Sequence, residues 1–280
     1  MKIIAKIIKF ILITILVICI IAIGMSKIVS STILDKTYTM QKLEETNFYS
    51  ETYELVKSNF ENYIYQSGLE ETVLEDICTE EKVKNDIEQI ISNIYDGTDI
   101  KIDTTEISDK LNANIDELNI KNSRNEKAIE QFVKHITDEY TNTILHTKYE
   151  DEINNAYGKI TNLIEKANTV IIIAIIADVI IIILSNIKKV SRNLQDLGIA
   201  LLGSSCFVLI ANNIVQTKVN IAGIKIFNDS FSEVVVTILQ NIVEKINTFG
   251  MITLVVAIIL IVIYIITILL QKTKEETTEK

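Results

Sequence analysis

The 280-residue chain contains no proline and no tryptophan, and it has only eight glycines, three cysteines and two histidines. Each absence removes a class of structure or chemistry. Without proline no helix loses an amide donor, so long unbroken helices are allowed anywhere. Three cysteines make no disulfide framework. Cys19 and Cys206 fall in apolar stretches and only Cys78 lies in polar sequence, so no bridge can close there. His135 and His146, on one helix, would share a face but stand about 16 Å apart by helix rise, too far to share a metal. There is no phosphate-binding glycine loop, no CxxC, no HExxH and no G-x-S-x-G. Acid pairs such as Glu70-Glu71, Glu80-Glu81 and Asp151-Glu152 read as solvated helix faces. The expectation is a non-enzymatic protein with no cofactor and no metal.

What the chain does have is apolar residues in blocks, at 48% of the total. Residues 169–187, TVIIIAIIADVIIIILSNI, are nearly the roughly 20 that a helix needs to cross a hydrocarbon core. In lipid every backbone N–H and C=O must pair within the segment, and a helix does that. Asp178 sits at the midpoint. An ionised carboxylate there costs about 2.5–3.5 kcal/mol on insertion scales, so it is expected to face other helices, with burial favouring its neutral form. Ala174 and Ala177 are expected to share its helical face, 174 and 178 being one turn apart, and small residues beside a polar one read as a contact face. Asp178 is either a structural hydrogen-bonding group between helices or a proton or ion relay. The residues favour the structural role, because no second acid is read in any span.

The remaining spans follow in order. Lys2, Lys6 and Lys9 flank the apolar run 1–25, which predicts a signal anchor with a cytoplasmic N-terminus. Ala22-Ile23-Gly24 loosely resembles a cleavage site, but the apolar core exceeds that of ordinary signal peptides. Residues 26–168 form a helical extracytoplasmic domain. Val83, Ile87, Ile90, Ile91 and Ile94 make one apolar stripe behind a Thr79 cap. Ser67-Gly68 and Asp96-Gly97 end helices. A short helix is predicted over 69–77, and Ile100-Lys101-Ile102 alternates as a brief extended segment. Ile153, Tyr157, Ile160, Ile164, Ala167 and Ile171 form a heptad seam leading into 169–187.

Lys188, Lys189 and Arg192 make 188–196 a cytoplasmic loop. Residues 197–214 return across the membrane as the most polar span. Antiparallel pairing sets its midpoint, Ser204 and Ser205, level with Asp178, and Asn212 lies further along. Residues 215–249 are an outside loop holding an amphipathic helix that is expected to pack on the domain. Residues 250–270 are the last span, with Tyr264 as its polar point. The tail 271–280 is cytoplasmic. Asp178, Ser204, Ser205, Asn212 and Tyr264 are therefore the intramembrane polar candidates.

Charge is unevenly spread. Residues 26–168 hold 15 Lys+Arg against 29 Asp+Glu, a balance of −14 within a net −10. Such a surface disfavours nucleic acid as a partner. The partners implied are the lipid bilayer and a homo-oligomer or other envelope proteins.

The segments Gly68-Leu69-Glu70-Glu71-Thr72-Val73, Ile102-Asp103-Thr104 through Asn114-Ile115-Asp116, and Gly198-Ile199-Ala200-Leu201-Leu202 resemble those of membrane proteins of low-GC Gram-positive bacteria to which no activity is assigned. The resemblance implies architecture: one N-terminal span, a helical extracytoplasmic domain, then three spans. The fold expected is all-α and integral to the membrane, with four transmembrane helices. The function expected is sensing, binding or scaffolding at the cell membrane, both termini being cytoplasmic. The alternative is a small oligomeric transporter or channel subunit using Asp178.

Overall fold

The computed structural model describes residues 2–121, 124–145, 150–187, 191–226 and 228–278. These residues are all-α: nine α-helices and two 3-10 turns, with no strand among the described residues. The helices are α1 (Lys2–Ser30), α2 (Lys36–Glu45), α3 (Phe48–Ser67), α4 (Glu80–Asp96), α5 (Thr105–Glu117), α6 (Glu126–Leu145), α7 (Glu150–Ser185), α8 (Ser191–Lys218) and α9 (Asp229–Thr278).

The chain divides into two compact units. One comprises Met1–Thr32, Thr161–Ile224 and Ile238–Lys280, and the other Ile33–Ile160 and Lys225–Thr237. The first holds α1, α8 and most of α7 and α9. These four helices are each long and apolar enough to cross a membrane. The second holds the shorter, polar helices.

The polar-helix unit forms for local reasons. Thr79 caps α4, its hydroxyl accepting from Lys82 N at 3.2 Å, and Glu80 and Glu81 face the positive end of the helix. Asp35 caps α2 in the same way through Tyr38 N. Asp103 accepts from Thr105 N at 2.9 Å and opens α5. α3 and α4 end on Gly68 and Gly97 in the left-handed conformation. Val56, Phe60 and Ile64 of α3 are buried with Val83 and Ile87 of α4, Ile107, Leu111 and Ile115 of α5, and Ile129, Ile136 and Tyr140 of α6. These are the i, i+3, i+4 positions of each helix, so the apolar stripes make one core.

The structure departs from the sequence expectations at several places. The short helix expected over 69–77 is a single 3-10 turn, Glu71–Leu74. Ile100-Lys101-Ile102 lies in the irregular link before α5 without a strand partner among the described residues. Nothing breaks the chain between 249 and 250: the amphipathic segment and the last apolar block are one helix, α9. Glycine costs only about 1 kcal/mol inside a helix and does not by itself stop one. Ile153 of the heptad seam lies outside the described side chains. Further along, Ile160 is 44% exposed, so the seam is not a continuous buried strip. His146, Lys188 and Lys189 lie outside the described residues.

Candidate functional site among the polar residues of the long helices

The long-helix unit is assembled around small residues. α1 and α8 pack most closely and run parallel. Lys9 meets Asp196 near their N-terminal ends, and Val17 closes on Gly203 further along. α8 and α9 cross where glycines remove the side chain. A Cβ on Gly198 would stand 2.8 Å from Ile261 Cγ1, and one on Gly250 would stand 2.7 Å from Leu209 Cδ2. Such close approach is how apolar helices associate without a hydrophobic gradient. Leu16 of α1, Ile182 of α7 and Ala200 of α8 form a buried apolar cluster, with Ile13, Ile20, Ile175 and Val179 packed against it.

Asp178 follows one turn from that cluster. It lies four residues before Ile182, while Cys19 and Ser204 lie three and four residues after Leu16 and Ala200. α7 runs opposite to α1 and α8, so all three side chains move the same way from the cluster and share a layer. Asp178 is 4% exposed. Cys19 is buried within electrostatic reach of its carboxyl. The Oδ2 atom of Asp178 finds no hydrogen bond among the described residues.

Both serines are fully buried. Their protons, however, are used within their own helix. Ser204 Oγ donates to the Leu201 carbonyl and Ser205 Oγ to that of Leu202, each at 2.9 Å. No hydrogen bond joins Ser204 to Asp178 among the described residues. Ser205 lies two turns from Gly198 and so faces α9. There Thr253 is buried, its hydroxyl donating to the Phe249 carbonyl at 2.8 Å. Ala174 is half-buried and Ala177 exposed, so only the first belongs to the contact face of Asp178. Asn212 is buried and Tyr264 half-buried, and neither joins the Asp178 layer.

A second polar cluster was not expected from the sequence. Asp196, assigned to a loop by hydropathy, lies inside α8 and is 2% exposed. Its Oδ2 accepts from Lys9 Nζ at 2.8 Å and from Asn186 Nδ2 at 2.7 Å. Asn186 also donates to Asn193 Oδ1 at 2.9 Å. The carboxylate is thus paired and hydrogen-bonded, as a buried charge must be. The signal was present: Asp196 lies four residues from Arg192 and two from Gly198 on a helix that opens at Ser191. Only its partner on α1 explains why burial is tolerated.

Two of the clefts of the polar-helix unit carry aromatic side chains with ionisable groups, and beside them lies one buried network. A cleft of about 510 Å³ has Tyr53, Val56 and Phe60 as its floor and Glu61, Glu71 and Glu75 at its rim. A second, of about 450 Å³, is lined by Tyr63, Phe132 and His135, whose imidazole stacks on Tyr63 at 6.3 Å. In the network, Tyr140 Oη donates to Asp86 Oδ2, and Lys82 Nζ bridges that same oxygen and the Asp103 carbonyl, each at 3.1 Å. Burial first, and the bond to Asp86 second, push the Tyr140 phenol well above its usual range. Burial pushes the neighbouring Cys78 thiol up to about 12, so it stays protonated at neutral pH. No group of His, Cys, Asp and Glu among the described residues is arranged to hold a metal ion.

No protein-family model matches the chain, and neither a curated protein nor a solved structure resembles it significantly.

Proposed function

We propose that the chain is a multi-pass protein of the cell membrane, with both termini cytoplasmic, and that its polar-helix unit acts outside the membrane as a binding or scaffolding module rather than as an enzyme. One observation carries the membrane reading. Large apolar side chains face outward all along the four long helices, among them Ile172, Ile173, Ile176 and Leu184 of α7 and Ile252, Ile259 and Leu269 of α9. Surfaces of that extent are stable only against lipid or another apolar face. The polar-helix unit exposes few such residues.

The orientation is read from the basic residues: Lys6 and Lys9 at the start of α1, Arg192 at the start of α8 and Lys272 near the end of the antiparallel α9, which fall toward one side. The 510 Å³ cleft, with Lys57 and several acids around an aromatic floor, offers a recess for a ligand in the polar-helix unit. The remaining partners are the bilayer and a second copy or another envelope protein. The test is accessibility. Single cysteines at Ser58 and Thr277, in a background without native cysteines, are treated with an impermeant thiol reagent on intact cells. Ser58→Cys is labelled and Thr277→Cys is not; the reverse result overturns the orientation.

A second reading, a small oligomeric transporter or channel subunit, is favoured by the unpartnered Asp178 oxygen.

A further inference from the structure

We propose that Asp178, together with the Ser204 hydroxyl level with it, is a binding site for a small monovalent cation, a proton or a sodium ion, in the interior of the long-helix unit. The proposal rests on the reading that the four helices span the bilayer, and it gives the second reading its ligand.

Asp178 is 4% exposed and its Oδ2 has no hydrogen bond among the described residues. A buried carboxylate in that position is costly unless something positive meets it. The surrounding elements supply no such group. On α1 the nearest titratable side chain is Cys19, whose charged form would be a thiolate. On α8, the Ser204 hydroxyl donates to Leu201 O and leaves its lone pairs free, and the titratable Cys206 is exposed. On α9 no ionisable side chain occurs between Phe249 and Tyr264. On α7 itself no other ionisable side chain lies between Lys166 and Ser185. The one nearby cation, Lys9, is beyond the Leu16–Ile182–Ala200 cluster and is already paired with Asp196.

No positively charged group of the chain therefore meets the carboxyl, and the donors near it are at most a weak thiol. A buried carboxyl so placed is completed by a proton, which lets it donate, or by a hard cation that prefers oxygen donors. Both neutralise the charge in place, and both can leave. That distinguishes the site from the Lys9–Asp196 cluster, whose compensating charge is covalently part of the chain.

The experiment reads the carboxyl directly. Infrared difference spectra are recorded on the full chain in phospholipid vesicles as pH is raised from about 5 to about 9, the range over which buried carboxyls titrate. The measurement uses protein retained in the vesicles after alkaline extraction. Release at that step counts against the membrane reading, whereas the band speaks to the site alone. The expected result is a protonated-acid C=O band that disappears as pH rises, is missing from Asp178→Asn and moves in frequency in Asp178→Glu. The glutamate variant keeps the assignment if the asparagine variant fails to assemble. Sodium chloride against choline chloride separates the two ligands. If sodium binds, a tenfold rise in its concentration moves the midpoint by about one pH unit, and if only the proton binds the midpoint stays. A band that persists unchanged across the whole range with and without sodium overturns the proposal, because the carboxyl is then a permanent structural donor. Absence of any band assigned to residue 178 overturns it equally.

Discussion

Lys9 Nζ lies 2.8 Å from Asp196 Oδ2, joining the first and the third of the long apolar helices by their N-terminal ends. Asp196 is nearly inaccessible while Lys9 keeps about a third of its surface, so the pair is buried on one side only. Removing the lysine charge leaves Asp196 with the Asn186 amide alone. Lys9→Met is expected to lower stability by about 1–3 kcal/mol, below the range for fully buried pairs because of the partial exposure. Lys9→Met with Asp196→Leu should recover most of that loss. Thermal unfolding of the full chain in detergent checks both, and a double variant no better than the single would show that the ion pair is not what the mutation removes.

Tyr140 is fully buried, and its hydroxyl donates to Asp86. Tyr140→Phe keeps the ring and its packing against Phe60 but takes a donor from a carboxylate. The expected cost is about 1.5–3 kcal/mol, the range for hydrogen bonds to charged groups. Tyr140→Phe in an Asp86→Asn background should cost less than in the wild type. Equal losses in both backgrounds, read from melts of the full chain, would separate Tyr140 from Asp86 energetically.

Cys78 supplies a prediction with a definite sign in pH. Its thiol is raised from an ordinary value of 9.0 to about 12 by burial. The folded chain therefore holds this proton where the unfolded chain releases it. The associated stability is present in full below pH 9 and is lost as pH rises toward 12. Alkylation by iodoacetamide near neutral pH should run on the order of a thousandfold slower at Cys78 than at a cysteine introduced at the exposed Ser58, since only the thiolate reacts. Comparable rates at the two positions would mean that the Cys78 pocket opens readily. Cys78→Ala should flatten the fall of melting temperature with alkaline pH relative to wild type.

The parts of this fold that are legible in the sequence are those written in adjacent residues. The stripe Val83–Ile87–Ile91, the Thr79 cap and the glycine ends of α3 and α4 need only a helix's own geometry. The four long apolar helices are legible for the same reason, and so is the isolation of Asp178 along α7. The continuity of α9 through 249–250 is not legible in the same way. Gly250 lets Leu209 approach α9, which no local pattern records. The burial of Asp196 is not legible either, because the lysine that makes it tolerable comes from the other end of the chain. The depth match of Ser204 with Asp178 could be derived from pairing alone. The destination of the serine proton could not, because a helix interior always offers the hydroxyl a carbonyl of its own.

The Lys9–Asp196 contact also imposes an order on how the molecule can be made. Synthesis runs from the N-terminus, so α1 emerges with Lys9 long before the ribosome reaches Asp196. Until α8 arrives, the lysine has no carboxylate to meet, and Val17 has no Gly203 to close on. The first helix is thus a component that must be kept for later use. A protease that trimmed it would strip Asp196 of its counter-charge and uncover Gly203, so the loss of one end of the chain would be felt at a residue nearly two hundred positions away.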